Sequence, residues 1–393
     1  MAPNIIGNSF ILAETTIEPN NANSVRILSA KNDTRLHEIH KTNHSTKGLF
    51  SFNKSDIVWR NVIAFLYLHI AASYGVYLLA SGRAQLLTFG IAYVYGALGG
   101  FGITAGAHRL WAHKAYKAKW QLRLILMIFN TISFQNSIFE WVRDHRVHHK
   151  FCDSDADPHN VQRGFFFSHM GWLLLKKHPD VKSKGASIDM SDLKQDEIVM
   201  FQRRHYLKIM PIFCFVIPTL IPMYVLNESL SGSFYVGAIL RYVITLHSTW
   251  LVNSAAHMWG MKPYDKNIRS ANNIFVSLVS YGEGWHNYHH VFPWDYKTAE
   301  LGDYRYNFST AFIDFFAKIG WAYELKTVSD DMIRKRAART GDGSNKYSRC
   351  IRNGVVRKED LEHHDDDSMV WGWDDKDMND EDKDDALIIK KTE

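Results

Sequence analysis

Apolar positions fall in long runs along this chain, not in the short alternations that mark strands. Residues 61–80 are uncharged and apolar over about the length that crosses ~30 Å of hydrocarbon as a helix. A second run, 86–107, follows after a short polar connection, and its Gly90, Gly96, Gly99, Gly100, Gly102 and Gly106 suit close helix contact in lipid. A second hairpin is predicted from 209–226 and 234–252. The first of these carries Pro211, Pro218 and Pro222, which a lipid-embedded helix tolerates when neighbours take up the freed carbonyls. The second carries one charge, Arg241, which must find a counter-ion, a polar cavity or an interface. Residues 120–142 are apolar with polar interruptions at Arg123, Asn130, Gln135, Asn136 and Glu140, the pattern of a helix lying at an interface. The expected fold is an all-α integral membrane protein. Four transmembrane helices in two hairpins would stand beneath a helical cap formed by 108–208 and 253–340.

Charge sets the orientation and the ends. The connections 81–85 and 227–233 hold Arg83 and nothing else basic, whereas Lys54, Arg60, Lys114, Lys117, Lys119, Arg203, Arg204 and Lys208 flank the other side. Basic residues near span ends stay in the cytosol, so both termini and the cap are expected there. Residues 1–54 are polar, rich in Asn, Ser and Thr, and read as a disordered cytosolic lead-in before the membrane domain, 55–340. The net charge of +5 conceals a split, since 359–393 carry −11 and the rest of the chain +16. From residue 341 the composition is acidic and of low complexity, and no fold is assigned to 341–393. The closing Lys390-Lys391-Thr392-Glu393 has the form of a dilysine retrieval signal. Cys152, Cys214 and Cys350 stand far apart without a CxxC pair, which argues against a disulfide framework or a thiolate metal site. No nucleic-acid partner is expected.

Histidine spacing carries the chemistry. The stretch DHRVHHK places His145, His148 and His149 at helical offsets of three and four, which share a face. The same HxxHH spacing recurs at His286, His289 and His290, with His108 and His113 in HRLWAH and the pair Asn253 and His257 between. Nine of twenty histidines lie in these clusters. Nine imidazoles exceed the four positions of a tetrahedral zinc and fit two metals with open positions. Asp144, Asp153, Asp155, Asp157, Glu283 and Asp295 are near enough in sequence to orient them. His69 and His247, each alone beside a membrane helix, read as satisfied interface groups.

HRLWAH, EWVRDHRVHHKF, DADPHN, RGFFFSHMGWLL, TWLVNSAAHMWG, KPYDKNI and GEGWHNYHHVFPWDY together resemble the membrane acyl-CoA desaturases of animals, the insect members most of all. The resemblance implies a di-iron site, residence in the endoplasmic reticulum membrane, and electrons from cytochrome b5 and its NADH-dependent reductase. Carried over by position, it implies ligation by His108, His113, His145, His148, His149, His257, His286, His289 and His290, with Asn253 acting through water. It implies contacts to the CoA end at Asn136, Arg143, Asp144, Lys176 and Lys177, and a tunnel bend at Gln135, Trp141, Thr249 and Trp250. Gly96 and Gly100 fall where relatives carry bulkier residues near the closed end of the tunnel. Small residues there would either lengthen the pocket or tighten helix packing.

The expected activity is removal of two hydrogens from a saturated fatty acyl-CoA with dioxygen, at Δ9, with Δ11 as the competitor. A membrane di-iron fatty acyl hydroxylase is the rival within enzymes, and a non-catalytic metal- or lipid-binding membrane receptor is the rival outside them.

Overall fold

The computed structural model describes residues 54–300, 304–347 and 369–389 and is mostly helical. The lead-in expected over 1–54, save its last residue, and the dilysine at 390–393 lie outside the described residues. Helix α1, Trp59–Ala80, and helix α2, Leu86–Ala112, are long and apolar enough to cross a membrane, as is α5, Glu197–Leu226. Their outward faces are apolar, with Ile63, Leu66, Tyr67 and Ile70 exposed on α1 and Tyr224 and Val225 on α5. Such contiguous apolar surface is what lipid contact requires. The expected fourth span, 234–252, lies in a helix over 230–253, here α6. It is not among the three, because Arg241, His247 and the Ser248–Thr249 pair dilute its apolar character. Helices α3, Trp120–Ser133, and α4, Ile138–Lys150, meet at 82° and reach a span's length and composition only when taken together.

The irregular points have identifiable causes. Phe134 and Asn136 take positive φ, 46° and 78°, in the break between α3 and α4. Pro218 has no N–H to offer to the carbonyls one turn before it. Cys214 O accepts instead from Arg241 Nη2 at 2.6 Å, and Phe213 O from the Tyr95 hydroxyl at 2.7 Å. Arg241 is thereby buried against a carbonyl and the Tyr95 ring rather than against an acid. Glu228 ties the two hairpin turns together, accepting from Gln85 N at 2.7 Å and Thr88 Oγ1 at 2.9 Å. Gly102 lets α2 and α3 touch, since a Cβ there would lie 2.1 Å from Asn130 N.

Among the described residues, two small antiparallel ladders join segments distant in sequence. Strand β1, Lys117–Ala118, pairs with β2, Ala322–Tyr323, and β3, Leu325–Thr327, pairs with β4, Leu387–Ile389. The second ladder corrects one expectation. Residues 369–389 of the acidic tail, to which the composition assigned no fold, pack back onto β3, His113 and the Tyr288–Phe292 cluster. What holds them is a few aromatic and apolar side chains, Trp371, Trp373 and Met378, spaced among the acids.

Candidate metal centre

The end of α2 explains the first histidine pair. Its last turns, Gly102–Ala112, are widened to π spacing, so His113 N donates to His108 O five residues back, at 3.1 Å. In an ordinary helix a five-residue separation turns side chains apart. Here the rings of His108 and His113 stand 4.7 Å apart.

Helix α4 and a short helix α7, His286–Val291, supply the two HxxHH stretches. The three histidines of a stretch do not serve one centre. His108, His113, His145, His149 and His289 form one group of converging nitrogens, and His148, His257, His286 and His290 form another. In α4 the outer pair, His145 and His149, joins the first group while His148 joins the second. In α7 the assignment is reversed: His286 and His290 join the second group and His289 the first. Offsets of four keep a pair together and the offset of three tips one ring to the neighbouring centre.

Within the groups, ring nitrogens face one another at distances that hydrogen bonding alone does not explain. His289 Nε2 lies 3.0 Å from both His108 Nε2 and His149 Nε2, and His113 Nε2 lies 2.9 Å from His145 Nε2. In the second group His286 Nε2 is 2.8 Å from His257 Nε2 and 3.1 Å from His290 Nε2. A neutral imidazole carries one proton, so three mutually facing nitrogens cannot all be satisfied by each other. Nitrogens held at about 2.0–2.1 Å from a common cation and at right angles to one another would be spaced at about these distances. Burial first, then repulsion from neighbouring rings, holds His257, His286, His289 and His290 well below the ordinary imidazole range. Their lone pairs are therefore free at neutral pH. Five donors in the first group exceed what a tetrahedral zinc accepts.

Three rings are oriented from behind. His148 Nδ1 meets Asp157 Oδ1 at 2.9 Å, and Asp157 is itself held by Asp153 N and His159 N, both at 3.0 Å. Burial alone would raise the Asp157 carboxyl, but His148 and His159 hold it well below the usual range. His108 Nδ1 lies 2.8 Å from Glu283 Oε2, and Glu283 Oε1 accepts from Arg109 Nη2 at 2.8 Å. His113 Nδ1 donates to the carbonyl of Trp371. Of the six acids singled out by proximity, Asp157 and Glu283 touch ligand rings. Asp144 pairs with Arg143 and Lys177, and Asp295 accepts from Tyr288, Thr327 and Val328.

Beside the two groups runs a mostly apolar cavity. Its lining includes Trp141, His108, His145, His148 and His286 together with Ile103, Gly100, Thr245, Thr249, Val252 and Tyr281. Asn253, one turn before His257, also faces it.

Comparison with known proteins decides what this arrangement is. The family model for fatty acid desaturase matches residues 84–308. An acyl-CoA Delta-9 desaturase of Acheta domesticus is 60% identical over 86% of this chain and 88% of its own length. An acyl-CoA Delta(11) desaturase of Trichoplusia ni is 49% identical over 86% and 89%, and stearoyl-CoA desaturase 2 of Mus musculus 54% over 74% and 80%. The chain belongs to the fatty acid desaturase family.

In this desaturase the residues expected at the substrate divide. Gln135, buried and not among the cavity's lining residues, donates from Nε2 to Thr249 Oγ1 of the cavity wall at 2.9 Å, and Trp141, which lines it, stacks on His145 with ring centroids 4.8 Å apart. Trp250 is fully buried edge-on to Phe65 and is not among the cavity's lining residues. Arg143 and Lys177 converge on buried Asp144, Lys176 is exposed nearby, and Asn136 occupies the break before α4. The two glycines separate as well. A Cβ at Gly96 would meet Arg241 Cγ at 3.2 Å, so Gly96 serves packing between α2 and α6. Gly100 lines the cavity, but the space it leaves is filled: a Cβ there would lie 2.3 Å from Tyr281 Cε2. Tyr281 has φ 60°, a left-handed conformation that costs a non-glycine residue roughly 1–2 kcal/mol. Its carbonyl is held by Ser309 N and Oγ at 3.0 and 2.8 Å.

Sequence reasoning missed Tyr281, the Trp371 carbonyl and a row of hydrogen-bonded imidazoles. Ser254 Oγ meets His169 Nδ1 at 2.9 Å, His169 Nε2 meets His247 Nδ1 at 3.0 Å, and His247 Nε2 meets His69 Nε2 at 3.1 Å. His69 and His247 are thus satisfied by each other. The aromatic pair Trp371 and Trp373, set in an acidic tail, was the one signal for the docked segment.

Proposed function

We propose that this desaturase removes two hydrogens from a saturated fatty acyl-CoA, with two iron ions held by the two histidine groups. The observation that carries the reading is an apolar cavity lined by histidines of both groups. The overall change is that R–CH2–CH2–R′, dioxygen, two electrons and two protons give R–CH=CH–R′ and two waters. Bound iron supplies dioxygen activation; everything else falls to the chain.

Arg143 and Lys177, held in place by Asp144, pair together with Lys176 and Asn136 with the phosphates and carbonyls of the CoA end. The Gln135–Thr249 bond and Trp141 bend the alkyl chain where it passes the histidines. Distance from the anchored thioester to that bend selects the carbon pair by positioning, and we assign it to Δ9. The relatives include Delta-9, Delta(11) and Delta12 enzymes at similar identity, so the register along the tunnel, not the overall sequence, decides the bond. Asn253 would hold a water at the open position of the second group. Cytochrome b5, reduced by its NADH-dependent reductase, supplies electrons from the cytosolic side of the endoplasmic reticulum membrane, where both termini lie. The basic body attracts such an acidic donor.

Expression in a yeast strain lacking its own desaturase, with double bonds mapped by mass spectrometry, tests this. A Δ9 alkene is expected. An alcohol would instead support a hydroxylase, and metal binding without dioxygen consumption a receptor.

A further inference from the structure

The docked tail touches the metal centre at more than one place. Gly372, at φ 150°, lies flat on His113, and a Cβ there would come within 2.5 Å of His113 O. Trp373 N donates to that same oxygen at 2.9 Å, while the Trp371 carbonyl accepts from the His113 ring. Both faces of the His113 residue, backbone and imidazole, are therefore engaged by three consecutive tail residues. Asp375 turns the segment by accepting from Trp371 N at 2.8 Å and pairs with Lys150 Nζ at 2.8 Å, at the end of α4 next to His149. The Arg146 guanidinium lies 4.0 Å from the Trp371 ring and also holds Trp111 O and Ala112 O. Met378 packs in the cluster that contains Tyr288 and Phe292, beside the second HxxHH stretch. The segment thus joins the ends of α2 and α4 and reaches α7, the three places that supply the five-histidine group.

We propose that residues 369–389 are a working part of the metal centre, with the Trp371 carbonyl as a positioning group for His113. An imidazole that donates from Nδ1 to a fixed carbonyl keeps the Nε2 lone pair free and its ring aimed, which is the usual role of an outer partner to a metal ligand. In the first group His108 has such a partner in Glu283, and the tail supplies the one for His113. The matched family region ends at residue 308, so the device lies outside it. This inference rests on reading the nine histidines as a metal site.

The test compares iron content in three purified proteins reloaded anaerobically with Fe(II): the full chain, a chain ending at residue 368, and full-length Gly372→Val. The full chain is expected to hold about two irons, and each altered chain about one, because the five-histidine group loses its ion while the other group keeps it. A synthetic peptide of residues 369–389 is expected to restore the truncated chain; a scrambled one is not. General loosening would empty both groups alike and would overturn the proposal. So would full iron content in either altered chain. Should the truncated chain fail to fold, Gly372→Val decides alone. If the full chain itself takes up no metal, the reading of the histidines as a metal site fails and this inference falls with it, an outcome distinct from loss in the altered chains alone.

Discussion

Replacing Tyr281 should change which chain lengths the desaturase accepts. The phenol ring occupies the room that Gly100 leaves beside the cavity and leans on Phe101 at a centroid distance of 5.6 Å. Gly100 is two helical turns before His108, roughly 12 Å along α2, so on the proposed function the ring would cap the passage beyond the reacting carbons. Tyr281→Ala removes that cap without altering the backbone strain, which both residues share. Burying two further methylenes is worth about 1.6 kcal/mol at ~0.8 kcal/mol each. That corresponds to about a 15-fold gain for the acyl chain two carbons longer. The assay is competition between two saturated acyl-CoAs differing by two carbons, scored as the ratio of alkene products by mass spectrometry. Tyr281→Phe, which keeps the ring, should leave the ratio as it is. An active Tyr281→Ala enzyme with an unchanged ratio would refute the claim that this ring limits the pocket.

Other consequences can be checked separately. Asp157→Asn and Glu283→Gln each weaken one outer partner of a ligand ring and should lower metal affinity by about 10–100-fold, read by competition with a chelator; unchanged affinity would sink the orienting roles. Gln135→Leu should relax the bend at Thr249 and spread the double bond over neighbouring positions, and a single product position would count against it. Buried Lys326, which donates to Lys114 O at 2.8 Å, is pushed by burial down to about 8, with Asp374 and Glu324 opposing. Its folded value lies below the unfolded one, so the unfolded chain holds more protons between pH 8 and 10.5. The charged group therefore costs stability below pH 8, and that cost fades as pH rises towards 10.5. Unfolding midpoints should favour Lys326→Met at pH 7 and converge with the unaltered protein near pH 10.5, whereas a pH-independent gap would contradict the assignment.

Much of this could be seen in the order of residues. Helical periodicity and uniform apolar runs predicted α1, α2 and α5, and the HxxHH spacing singled out the histidines that meet. Division of each stretch between two groups was not legible, because it depends on how α4 and α7 face each other. The five-residue gap from His108 to His113 does not fit ordinary helical spacing, and only the π-widened turn brings the two rings together. Gly100 left added pocket length and closer helix packing equally open, since the tyrosine that fills its space is far along the chain. The tail was hidden for another reason: its acids dominate the composition, while Trp371, Gly372 and Met378, which fix it, are too sparse to make a periodic signal.

Crossed membership of the two HxxHH stretches has a consequence for assembly and for inheritance. No single helix supplies either histidine group, so an ion bound at either would reach full coordination only once α4 and α7 have docked together. Loading should be coupled, with the first ion fixing the helix pair that the second requires. A change within either stretch therefore bears on both groups, whereas a change at the tail's contact with His113 reaches one.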